Sequence, residues 1–222
     1  MGVYPQWHVM ELASKKVKVL LDGQGGDEVL AGYEPYYASF LADIKNPIKF
    51  FREFLEIIDK KGVKISKSLA RGVLSKYIKG KKKFKNSYLA THLLYDVYRN
   101  MLPALIKYED KIGMAFSIEA RMPFLDYRLV NFLFSLENKY KIENGWNKSI
   151  LRKAMKGILP DKVAYRKDKK GFPTPFNKIL EKNKHLEKYI PSGINDEWIK
   201  WRYVSLGIWK EIFFGENNET TL

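Results

Sequence analysis

The sequence predicts part of an α/β domain, mostly helical, with about one strand of a parallel-type sheet. Three observations predict it. Residues 17–21, "VKVLL", are short, β-branched and apolar, the one clear strand pattern in the chain. They end in the glycine-rich turn "DGQGGDE", placed where α/β sheets present ligand loops, beyond the carboxyl end of a strand. Almost every periodic segment after that turn has helical spacing. A lone apolar strand cannot satisfy its own backbone groups. The sheet therefore needs partners that this sequence hardly offers.

Taken in order, residues 7–14 mix apolar and polar side chains at helical spacing. Glu34-Pro35 ends the segment after the glycine turn, because a residue before proline avoids helical geometry. Residues 36–61 read as helix with a break at Asn46-Pro47. Residues 62–85 are basic and weakly periodic, and "KGKKKFK" within them reads as a solvated loop or exposed helix end. Residues 88–106 are helical again. Asp126 is a helix cap for "YRLVNFLFSLE", whose apolar positions 129, 130, 132, 133, 134 and 136 make a wide stripe and predict a buried helix. Residues 147–156 form a short helix closed by Gly157 and Pro160. The tail from residue 182 is charged, with scattered tryptophans.

The 222 residues are 45% apolar and 14% aromatic, enough to bury a core. The absence of cysteine removes disulfides, thiolate metal sites and a cysteine nucleophile. No long apolar run and no signal peptide pattern is present, so a cytoplasmic, non-membrane protein is expected. The net charge of +15 favours anionic partners. No zinc-finger, RNP or zipper pattern accompanies it, so a nucleic-acid-binding module is the lesser reading. His8, His92 and His185 lack metal-ligand spacing, and no Ser-His-Asp set is recoverable.

Three stretches carry chemistry. In "DGQGGDE", Asp22, Gly23 and Gln24 follow the strand, and glycines let a ligand approach the backbone. Asp27 is a candidate Mg²⁺ ligand, and equally Asp27 and Glu28 are ordinary first-turn helix acids. In "SIEARMPFLD", Glu119 and Arg121 share a face if extended, and pair with a ligand or with each other. In "YRKDKKGFPTPF", lysines precede Gly171 on a proline-stiffened loop that suits phosphate contact or is simply an exposed basic turn.

Together these stretches resemble the synthetase domain of glutamine-dependent asparagine synthetases. That family carries "SGEG-x-DE" or "DGQG-x-DE" followed by "GY", then "DR-x-S-M-x-x-S-x-EAR-x-PFLD", then "LP-x-x-x-x-x-R-x-x-K-x-GF". Here the same order reads "DGQGGDEVLAGY", "EDKIGMAFSIEARMPFLD" and "LPDKVAYRKDKKGFPTPF". The resemblance implies an adenine-nucleotide alpha-hydrolase-like fold and ATP-dependent amide formation. A carboxylate, aspartate or similar, is adenylated with loss of pyrophosphate, and glutamine-derived ammonia then displaces AMP. It implies ATP contact at Asp22 and Gly23, Mg²⁺ at Asp27, and catalytic roles for Lys169 and Gln24. Glu119 and Arg121 would support the substrate. Gln24 stands where strict asparagine synthetases have glutamate, Lys111 replaces arginine, and Gly113 replaces serine or threonine.

The family's glutaminase domain and its "SGG-x-DS" pyrophosphate loop are not found among residues 1–222. The chain is accordingly expected to be the C-terminal portion of such a domain, needing a partner that carries both, and inactive alone. The alternatives are a non-catalytic, partner-binding remnant or the subunit of a split enzyme.

Overall fold

The computed structural model describes residues 2–78, 84–168, 171 and 174–215. The chain divides into two compact units, Met10–Lys169 and a second made of Met1–Val9 with Lys170–Leu222.

Helix α1 (Val3–Ser14) precedes strand β1 (Val19–Leu21), and the glycine turn opens the one-turn helix α2 (Gly26–Val29). Prolines start α3 (Pro35–Asp43) and α4 (Pro47–Lys61), where a missing N–H costs nothing. Asn46 Oδ1 caps α4 by accepting from Lys49 N at 3.0 Å. Helix α5 (Ile65–Ile78) occupies much of the weakly periodic basic stretch, whose "KGKKKFK" lies mostly outside the described residues. The helical stretch expected over 88–106 is two helices, α6 (Tyr88–Tyr98) and α7 (Met101–Ala115), broken at Arg99-Asn100. Strand β2 (Glu119–Arg121), α8 (Tyr127–Ser135), the strands β3 (Ile142–Glu143) and β4 (Trp146–Asn147), α9 (Ser149–Ala154) and α10 (Asp161–Ala164) complete the first unit. Helices α11 (Phe176–Lys182) and α12 (Glu197–Phe214) belong to the second.

The expected lone strand has a partner. β1 pairs in parallel with β2 in the register Val19↔Glu119, Leu20↔Ala120, Leu21↔Arg121. Leu20 packs against a cluster of Met10 of α1, Ile112 of α7 and Ile118, so helices cover one face of the pair. This small parallel sheet within a mostly helical chain is consistent with an α/β fold. The short helix expected over 147–156 begins only at Ser149, because residues before it form an antiparallel hairpin. Its turn, Asn144-Gly145, has positive φ at both residues (48° and 72°), the geometry that an Asn-Gly hairpin turn requires. Tyr37 donates its hydroxyl to the Gly145 carbonyl at 3.1 Å and ties the hairpin to α3.

The main core joins Tyr36, Tyr37 and Leu41 of α3 to Ile57 of α4, Leu69 of α5, and Leu89 and Leu93 of α6. Helix α8 is less buried than its wide stripe predicts. Asp126 caps it, accepting from Arg128 N at 2.9 Å, but only Leu133 is buried and Phe132 is 53% exposed. Within the core a Ser-His-Asp set does exist. Ser39 Oγ lies 2.9 Å from His92 Nδ1, and His92 Nε2 lies 3.6 Å from Asp96 Oδ2. Tyr36 and Asn100 also donate to Asp96 at 2.7 and 2.6 Å. Ser39 is wholly buried, so its hydroxyl meets no substrate and the set is structural. In the second unit, Phe176, Leu180 and Val204 form a separate core, with Trp201 edge-on to Phe176.

The carboxylate of Asp43 holds the start of α6. It accepts from Ser87 Oγ (2.6 Å), Tyr88 N (2.6 Å), Leu89 N (3.0 Å) and Asn138 Nδ2 (2.9 Å). Asp43→Ala is expected to lower stability by about 2–3 kcal/mol, because it strands several donors at once. Ser87→Ala, which removes the local cap to Ala90 N, should cost about 1 kcal/mol. Urea unfolding of both variants checks the order, and an Asp43→Ala midpoint equal to wild type contradicts it.

Candidate functional site at the strand ends

The carboxyl ends of β1 and β2 lie side by side, and the ladder continues one residue past β1. Asp22 N donates to the Arg121 carbonyl at 2.8 Å. Asp22 Oδ1 then accepts from Gln24 N at 3.0 Å, a local turn that leads the chain out of the sheet. Gly26 N closes the turn onto the Gly23 carbonyl at 3.2 Å.

The glycines of this loop divide by role. Gly25 has φ +86°, and a Cβ there would collide with Leu125 Cδ2, so both conformation and packing require glycine. A Cβ on Gly23 would meet nothing within 4 Å. The backbone at Gly23 is thus the part of the loop that a ligand can approach.

Beneath the loop lies Glu109 of α7, fully buried. Gln24 Nε2 is 3.5 Å from its Oε2. Burial, and then a hydrogen bond and charge from Asp22, push the Glu109 carboxyl up to about 7, with Gln24 opposing. The Glu109 carboxyl therefore holds its proton to higher pH than an exposed carboxyl does. Beside β2 a hollow of about 450 Å³ is lined by Pro103, Ile106, Asp110, Ala120, Met122 and Leu125, among others.

Asp27 sits in α2 and pairs with Lys148 Nζ at 2.9 Å. Lys148 holds a left-handed backbone (φ 52°) just before α9. Gly32 passes so close that a Cβ there would collide with Asp27 Oδ1, and would lie 2.5 Å from Lys148 Cε. Glu28 is buried and accepts the Tyr33 hydroxyl at 2.7 Å. Burial and this carboxylate push the Tyr33 hydroxyl far above its ordinary range. Of the two adjacent acids, Glu28 is structural and Asp27 is partly exposed.

Glu119 and Arg121 are extended, share the exposed face of β2, and pair with each other at 2.8 Å. Their side chains are more than half exposed. The structure thus brings Asp22 and Gln24 together with Glu109, and places Asp27 beside Lys148. Lys169 lies outside the described residues. Among the described residues no three His, Cys, Asp or Glu side chains gather as a metal cluster. Asp27 supplies one carboxylate, a donor set that fits Mg²⁺ only if a ligand's own oxygens complete the shell. No helix of the described residues is long and apolar enough to cross a membrane.

Sequence reasoning missed Glu109 and Lys148. A signal for Glu109 was present, since it falls on the buried stripe of α7 with Leu102, Ile112 and Gly113. A carboxyl on such a stripe needs a polar partner. Lys148 carried no comparable signal.

The raised Glu109 value makes stability depend on pH with a definite sign. Its folded value is near 7, above its ordinary 4.5, so the folded state holds the proton longer. The associated stability is complete below about 4.5 and is lost as pH rises through about 7. Glu109→Gln is expected to flatten this loss. Denaturant unfolding of both proteins across that range checks it, and parallel profiles contradict it.

The profile of the asparagine synthase family matches residues 3–213 of the chain. Glutamine-hydrolyzing asparagine synthetase 3 of Bacillus subtilis strain 168 is 31% identical, over 87% of this chain and 30% of its own length. Asparagine synthetase 1 of the same organism is 28% identical, over 90% of this chain and 38% of its own. A putative asparagine synthetase of Mycobacterium bovis is 27% identical, over 93% and 35% respectively. The chain spans about a third of the length of these relatives. With a family match across nearly all of its residues, the chain belongs to the asparagine synthase family.

Proposed function

We propose that this chain supplies one half of the nucleotide site of a cytoplasmic, ATP-dependent amide ligase. The observation that carries the proposal is the open backbone of Gly23 at the paired strand ends, above the buried Glu109. Family membership supports the reaction class. A substrate carboxylate, aspartate or a relative of it, attacks the α-phosphorus of ATP and pyrophosphate leaves. Ammonia then displaces AMP and forms the amide. Asp22 and Gly23 would contact the nucleotide.

The loop's carboxylate and ammonium pair suits a metal-bound phosphate: Asp27 would hold Mg²⁺ and Lys148 a phosphate oxygen. Bound there, Mg²⁺ would neutralise charge on the departing pyrophosphate. Lys169 would stabilise charge on the reacting phosphate. Gln24 cannot act as a general base, and we assign it the orientation of Glu109. Glu109, fully buried, would hold the Gln24 side chain and the loop in place beneath the nucleotide. Glu119 and Arg121, paired on the outer face of β2, would support the substrate side. The rest of the site would come from a polypeptide segment with the "SGG-x-DS" loop, and the ammonia from a glutaminase domain.

The test mixes the chain with a polypeptide carrying that loop, in the presence of aspartate, ammonia and Mg²⁺–ATP, and measures AMP and amide product. Product is expected from the mixture and not from the 222-residue chain alone. Lys169→Ala and Asp27→Ala should each lower the rate on the order of 10²–10³. An inactive mixture, or an active lone chain, contradicts the proposal.

A further inference from the structure

The first unit also holds a cavity away from the strand ends. It measures about 580 Å³ and is framed by the end of α3, the start of α4, the segment before α6 and the stretch after α8. Five lysines line it: Lys45, Lys49, Lys85, Lys139 and Lys141. The only carboxylates in the lining are Asp43 and Glu137. Both are already committed. Asp43 accepts four hydrogen bonds at the start of α6, and Glu137 pairs with Lys139 at 3.0 Å. Among the described residues no carboxylate pairs with Lys45, Lys49, Lys85 or Lys141, so four cations face one hollow uncompensated.

Two further features mark a built site. Lys141 is only 2% exposed, and its ammonium donates to the Leu136 carbonyl at 2.9 Å. Burial, and then the Lys85 charge, push it down to about 8, which is the cost of a buried cation facing another cation. Lys85 and its neighbour Asn86 both hold left-handed backbones (φ 51° and 54°), an uncommon conformation for such residues. The amino end of α4, fifteen residues long and capped by Asn46, also opens on the cavity and adds its favourable dipole for a negative charge.

We propose that this cavity binds a small, multiply charged, phosphate-bearing molecule, at a site separate from the strand-end loop. The two sites share no lining residue. A volume of 580 Å³ suits a small molecule, for which pockets run about 300–1,000 Å³. A nucleic-acid backbone would call for an extended basic track instead. A bound anion would neutralise Lys141 and Lys85 together and return the Lys141 ammonium toward its ordinary value.

The experiment uses pyrophosphate as probe and the chain carrying Asp27→Ala, so that binding at the strand-end loop is weakened. Calorimetry should find saturable binding, weakened by about tenfold or more in Lys45→Ala/Lys49→Ala. Both lysines are exposed, so this variant is expected to fold normally. In parallel, acylation of Lys45 and Lys49 by a succinimidyl ester in the chain with both lysines intact should be slowed by pyrophosphate, while that of Lys156 is unchanged. Absence of saturable binding, equal binding by the lysine variant, or no protection of Lys45 and Lys49 overturns the proposal. So does protection of Lys45 and Lys49 by a short RNA but not by pyrophosphate.

Discussion

The site depends on one constraint, the parallel register that sets Leu21 beside Arg121. The hydrogen bond from Asp22 N to the Arg121 carbonyl fixes where the chain leaves the sheet. A slip of one residue by either strand would turn that strand's side chains to the opposite face. Leu20 would lose its place against Met10 and Ile112, and Glu119 and Arg121 would turn toward the helices. The hydrophobic layer under the pair therefore holds the loop in position, although no residue of that layer faces a ligand.

Charge is handled differently at two places in the first unit. At the strand ends, the buried Glu109 lies near Asp22, and burial and that charge keep the Glu109 proton on to higher pH. At the lysine-lined cavity, cations meet and the conflict is relieved only in part, by depression of Lys141. Burying like charges destabilises the fold unless a partner is present. The lysine-lined cavity is thus a place where a ligand of opposite charge would stabilise the protein.

Much of the local structure was legible in the sequence because its signals are local. Asn46-Pro47 and Asp126 mark helix starts through capping and proline geometry, which need no knowledge of the fold. Strand β2 was not legible as a strand. "EAR" has no β-branched residue, and only pairing with a segment far away in sequence makes it extended. The turn Asn144-Gly145 did carry a recognised hairpin signal, and the neighbouring helical pattern obscured it. The stripe of α8 gave the right helix and the wrong burial, because periodicity says which face is apolar and not what covers it. The placement of Asp22, Gly23 and Gln24 in a turn beyond the end of β1 was legible from the apolar strand before them. Glu109 and Lys148 were not, since each matters through a partner brought to it by tertiary structure.

The measurement that tests the account most directly is calorimetric titration of Mg²⁺–ATP into the wild-type chain and into Gly23→Val. The position is open, so the valine is expected to leave the unfolding midpoint unchanged while removing nucleotide binding. Binding to wild type that is lost in an equally stable Gly23→Val places the nucleotide at the strand ends. Undiminished binding by Gly23→Val, or none by wild type, would contradict the claim that this loop forms the chain's nucleotide half-site.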